Sequence, residues 1–165
     1  MAHVGVTIRA EGAGVRVVDT GVANDVPLVR FEPGLTGFSL TGIELAHAGG
    51  VALEAMAGTR ATVSGGKITG QVISSGAQIS LRTLTMHGGL AVDLQGAIAM
   101  EDCVVDHLPA ITLLDGRIDV VRSRLGGQGI GGSGTGPVIL AINGQLDLDA
   151  VVIEPAAPED RKSVV

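Results

Sequence analysis

A chain of 165 residues, 45% apolar and 17% charged, is sized for one folded core and is too hydrophobic for a disordered segment. Its 11 Lys plus Arg against 17 Asp plus Glu give a net charge of −6, which disfavours nucleic-acid phosphates and anionic membranes as partners. Two Phe with no Trp or Tyr leave no aromatic platform on which sugars or bases would stack.

The first residues, Met1-Ala2-His3-Val4-Gly5, lack the basic and apolar regions of a signal peptide. A cytoplasmic chain is expected, with export by a dedicated secretion or phage-like machine left open. The single Cys103 cannot form an internal disulfide, and no apolar run approaches the roughly 18 residues needed to cross a bilayer. Alternation at Val4, Val6 and Ile8 opens a loose first turn that runs to Phe31. Gly37 then heads Phe38-Ser39-Leu40 with Ile43 and Leu45 behind it, and Gly58 heads Ala61-Thr62-Val63 with Ile68. The same form recurs at Gly76, Gly96, Gly116 and Gly144, whose spacings are 20, 20 and 28 residues.

Each of these last four units carries two further short apolar runs. One lies just before each Gly: Val72-Ile73, Ala91–Leu94, Ala110–Leu113 and Val138–Ile142. The other follows the Gly-headed strand: Leu84 and Met86, Cys103 and Val105, Val121 and Leu125, then Val151 and Ile153. A helix accounts poorly for this pattern, because each internal Gly costs up to about 1 kcal/mol relative to Ala. Short period-2 runs rich in Val, Ile and Thr are strand signals, and a unit of two or three strands repeating every 20 residues predicts a parallel β-solenoid. The expected molecule is all-β, a single-domain solenoid of about six coils over residues 1–154. Residues 155–165, Pro-broken and polar, are expected to form a flexible C-terminal tail.

The longer spacing comes from Gly126–Gly136, a Gly-rich insertion expected to protrude as a loop. Gly129 to Gly134 satisfies G-x-G-x-x-G, but a strand follows where a dinucleotide site needs a helix, so no nucleotide or other cofactor is expected.

In these repeats the chain resembles the right-handed parallel β-helix, the pectate-lyase-like superfold, in a short-coil form. The resemblance covers Gly34 to about Glu154, rests on pattern, and implies a fold rather than an activity.

Stacking by one coil brings equivalent residues to about 5 Å, so side-chain ladders are readable. Arg82 falls beside Glu101 and Asp102 beside Arg122, as exposed pairs on a sheet surface would. Asp119 falls beside Asp147, with Asp149 two residues along. That face is either a solvated acidic surface or a cation site or split acid/base pair, with Arg117 and Arg124 near enough to compensate its charge. His87 falls level with Asp106, close to His107, where a proton relay is conceivable but polar turn residues are ordinary. Alternation points Cys103, the nearby nucleophile, inward.

Two functions of different class follow. The favoured one is a non-catalytic structural or protein-interaction module, an assembly subunit or adaptor whose protein partner or second copy meets the open ends of the solenoid. The other is a carbohydrate-active lyase or hydrolase, or a metal-binding β-helix, using Asp119, Asp147 and Asp149 with His87 and Asp106 as further candidates. Missing aromatics and the lack of long wall-forming loops weigh against the second.

Overall fold

The computed structural model describes residues 7–9, 15–19, 26–107, 109–126 and 137–154, and every regular element among them is a strand. In chain order these are β1 (Thr7–Arg9), β2 (Val15–Asp19), β3 (Val29–Phe31), β4 (Phe38–Ala55), β5 (Arg60–Ser75), β6 (Gln78–His87), β7 (Leu90–Asp93) and β8 (Gly96–Glu101). They continue with β9 (Val104–Val105), β10 (Ile111–Leu113), β11 (Gly116–Val121), β12 (Arg124–Gly126), β13 (Ile139–Ala141), β14 (Gln145–Asp149) and β15 (Val152–Glu154). No helix among the described residues is long and apolar enough to cross a membrane.

Every strand pair is parallel, and each strand bonds to the equivalent strand one turn away. The result is a parallel β-solenoid of about five turns. Complete turns run from Phe38 to Ala141, with β1–β3 before them and β14 and β15 after. Each complete turn has three faces. The first stacks β1, residues 38–41, 60–64 and 78–82, β8, β11 and β14. The second stacks β2, residues 43–46, 66–69 and 84–87, β9, β12 and β15. The third stacks β3, residues 51–55 and 71–75, β7, β10 and β13.

Alternation decides which residues face inward. On the first face Ile79, Ile98 and Ile118 form one buried column and Leu81, Met100 and Val120 another. On the third, Val72, Leu90 and Ile111 stack in the same way. These columns merge into one continuous apolar core from Phe31 to Leu125, each fully buried aliphatic side chain stabilising by about 1.5–3 kcal/mol before entropy is counted. The two phenylalanines lie together near its N-terminal end, ring centroids 4.4 Å apart. Phe31 stands in register with Ala55 and Phe38 with Ala61, so a bulky ring is matched to a small neighbour in the next turn.

The corner between the first and second faces is a single residue in the left-handed region, repeated turn after turn. Gly42 and Gly65 hold it at φ of 67° and 60°, and then Thr83, Asp102, Arg122 and Ala150 at 53°, 53°, 45° and 52°. The corner N–H can bond across turns: Asp102 N–H donates to the Val121 carbonyl at 3.2 Å and Arg122 N–H to the Asp149 carbonyl at 2.9 Å.

This corner corrects one expected inward position. Val121 does not continue the column of Leu84 and Cys103. It lies level with Glu101 on the first face and is only half-buried, and Ser123, just after the corner at Arg122, takes the inward place. The Ser123 hydroxyl donates to the Val121 carbonyl at 2.8 Å and accepts from Cys103 N–H at 3.0 Å, so the buried polar group is satisfied. Other corners need Gly because backbones nearly touch: a Cβ on Gly116 would lie 2.3 Å from the Gly96 carbonyl oxygen. Of the Gly126–Gly136 insertion only Gly126 is described, as the last residue of β12; residues 127–136 and the tail 155–165 lie outside the described residues, as do Val4 and Val6.

A left-handed backbone costs an L-residue about 1–2 kcal/mol, partly offset in a Gly variant by the greater freedom of its unfolded chain. Thr83→Gly and Ala150→Gly are therefore expected to raise stability by up to about 1 kcal/mol each in urea titrations. Gly65→Ala is expected to lower it by about 1 kcal/mol through strain alone, since the nearest atom to an added Cβ there is 4.0 Å away.

Candidate functional site

Outward residues of the first face form three ladders. In the column Ser39, Thr62, Ser80, Ala99, Asp119 and Asp147, small side chains give way to two carboxylates at its C-terminal end. Beside it run Arg60, Gln78, Ala97, Arg117 and Gln145 on one side, and Ser64, Arg82, Glu101, Val121 and Asp149 on the other. The small residues leave an open hollow of about 500 Å³ bordered by Arg60, Gln78 and Asp119. Its sequence signal is the run of Thr62, Ser80 and Ala99 at coil spacing.

Asp119 and Asp147 are in register as the spacing predicts. They are not an uncompensated acidic pair, because Arg117 reaches across both. Its Nε donates to the two Asp119 oxygens at 2.9 and 2.8 Å, and a terminal nitrogen reaches Asp147 Oδ2 at 2.9 Å. Gln145 Nε2 donates to the same Asp147 oxygen at 2.8 Å. The Arg117 guanidinium holds the Asp119 carboxyl below the usual carboxylate range, and Asp119 in turn raises Arg117. Asp149 is opposite Val121 rather than in the acid pair, and its side chain has no ion-pair partner among the described residues. Arg124 was the other expected compensating cation; it lies on the second face and approaches Glu154 at 3.7 Å instead.

The opposite-sign ladder is present in full. Arg82 meets Glu101 at 3.5 Å, and Arg122 grips Asp102 at 2.9 and 3.0 Å while also bonding Glu101. Arg122 lowers the Asp102 carboxyl. These groups are about half exposed, so water and salt screen the pairs and they add little to stability.

His87 Nδ1 stands 3.6 Å from Asp106 Oδ2, beyond hydrogen-bonding distance, and is buried without a hydrogen-bond partner. His107 sits at the same corner, against Gly89. Cys103 is buried as alternation requires, its Sγ 3.2 Å from the Glu101 carbonyl oxygen, and burial pushes its thiol up, away from a nucleophilic thiolate. The described residues thus bring His87 and Asp106 together without an activated nucleophile. Among them no three His, Cys, Asp or Glu side chains converge on a metal-sized site.

Sequence reasoning passed over His47. It is 1% exposed, with Nε2 3.2 Å from the Val26 carbonyl oxygen, and a Cβ on Gly50 would lie 2.6 Å from its ring. The available signal was that glycine, which makes room for the imidazole.

Because Asp102 and Asp119 have depressed folded values, the stability they contribute is complete above the ordinary carboxylate range and is lost as pH falls through those lower values. Thermal stability is expected to change little between about pH 7 and 5 on their account and to fall below about pH 4. In Arg117→Gln the Asp119 titration midpoint, followed by carboxyl NMR, is expected to rise, while stability at neutral pH changes little because the pair is screened by solvent. An unmoved midpoint would show that Arg117 does not govern the pair.

No protein-family model matches the chain, and neither a curated protein nor a solved structure matches it.

Proposed function

We propose that the chain is a non-catalytic β-solenoid module that works through protein interaction, as an assembly subunit or adaptor engaging its partner at a solenoid end. The observation that carries this reading is the last turn. Leu148 and Ile153 continue the buried columns of Val120 and Leu125, yet they are 42% and 46% exposed. Among the described residues β14 pairs only with β11 and β15 only with β12, so each also offers a backbone edge that no described strand covers. Exposed, unpaired parallel strands with apolar side chains are a template for another chain. The three-faced parallel turn supports the likeness to the pectate-lyase-like superfold, and that likeness carries no activity. The alternative of a carbohydrate-active or metal-binding face at Asp119, Asp147 and Asp149 has less support, because Arg117 occupies the space between the first two carboxylates.

Light scattering over a range of concentrations tests the reading. The wild-type chain is expected to exceed monomer mass increasingly as concentration rises, and Ile153→Lys to shift toward monomer while still unfolding cooperatively. A wild-type chain that stays monomeric throughout and turns over a carbohydrate, with activity lost in Asp147→Asn, would replace this reading with the enzymatic one.

A further inference from the structure

The interaction reading leaves open what meets the free end, and the two ends of this chain answer to one another. Three features of the described residues bear on it: strand direction, register and charge.

At the C-terminal end, β14 and β15 present edges that no described strand covers on the first and second faces. At the N-terminal end, β1 and β2 each pair, among the described residues, only with β4, and no described strand covers their other edges on the same two faces. All four strands run the same way around the coil, because every pairing between them is parallel. A second copy displaced along the solenoid axis by one stack therefore meets the first, on these two faces, as the strands of another turn would. Two copies meeting through like ends would instead have to pair antiparallel and break the column order.

Register then fixes which residues come together. Thr41, Ser64, Arg82, Glu101 and Val121 occupy one column, with Arg9 at its N-terminal end and Asp149 at its C-terminal end. Continuing by one strand sets Arg9 of the next copy beside Asp149. The same step sets Ile8 beside Leu148 and Val17 beside Ile153 in register across the junction. Val17 is itself 39% exposed, so both sides of that contact have apolar area to bury.

Charge agrees with register. Arg16, Arg30, Asp147 and Glu154 are already paired within the chain, with Glu44, Glu54, Arg117 and Arg124. What distinguishes the ends is Arg9, the one charged residue of β1, and Asp149 of β14, whose side chain has no ion-pair partner among the described residues. A cation at one end and an anion at the same column position of the other favour joining unlike ends and oppose joining like ones. We infer that this chain self-associates head to tail, the N-terminal edge of one copy continuing the β14 and β15 edges of another in register, with Arg9 beside Asp149. The inference rests on the interaction reading and names its partner as a second copy. A contact of this kind is heterologous and does not close on itself, so it generates a linear series rather than a fixed dimer.

Two single charge reversals and their mixture test it. Asp149→Arg spoils the C-terminal end and Arg9→Asp the N-terminal end. Each variant alone is expected to be monomeric by light scattering at concentrations where the wild type forms a ladder of species. Mixed one to one, the two are expected to restore the ladder as an alternating series, since every junction between unlike variants sets an arginine beside an aspartate, in the native order at one junction and in the reversed order at the next. The double reversal in one chain is expected to restore the ladder. Cooperative melting of each variant checks that loss of association is not loss of fold. A wild type that stops at a closed dimer, or reversals that leave its ladder unchanged, would overturn head-to-tail joining while leaving the interaction reading intact. A monomeric wild type that binds no other protein would remove both.

Discussion

Parallel pairing between successive turns is the constraint from which the rest of this molecule follows. A turn satisfies its backbone only through the turns above and below, about 4.8 Å away, so each residue is bound to a column as well as to a sequence neighbour. Inward columns must stay apolar and matched in volume, which is why Phe38 lies over Ala61 and Phe31 over Ala55. Corners must bring main chains nearly into contact, which is why Gly116 stands over Gly96 and cannot carry a side chain. Outward columns are free of both demands, and there like charges are interleaved with opposite ones.

That freedom explains the candidate site. Asp119 over Asp147 is the sort of juxtaposition that marks catalytic or metal sites in other settings, and here it coincides with an arginine placed two residues before Asp119 on the same strand. One guanidinium spans both carboxylates because adjacent strands are close and residues two apart point the same way. The same geometry binds Arg122 to both Glu101 and Asp102. Stacked acids on a solenoid are informative only after the neighbouring cation has been located.

Sequence carried the architecture a long way. Gly76, Gly96, Gly116 and Gly144 are stacked or turn-forming corners, and the alignment of Ile79, Ile98, Ile118 and Leu146 is the register found in the structure. It failed where a turn uses no glycine. Thr83, Asp102, Arg122 and Ala150 occupy the left-handed corner without the residue that normally announces it, so the position of Ser123 was given to Val121. Arg124 was misplaced for a related reason: it stands past the corner, on a different face from Asp119. Buried His47 was hidden because its partner is a carbonyl, which composition cannot reveal. The solvent-facing hollow over Thr62, Ser80 and Ala99 is likewise a property of three turns together.

The placing of the two phenylalanines has a consequence for watching this protein unfold. With no tryptophan or tyrosine, Phe31 and Phe38 are its only aromatic chromophores, and they touch each other at one end of the core. Near-ultraviolet signals therefore report on the N-terminal turns alone, whereas far-ultraviolet signals sum over the whole stack. In a nearest-neighbour array, turns at an end can open before the middle does. Disagreement between those two spectral windows would measure how far the stack behaves as one cooperative unit and how far as a column that frays from an end.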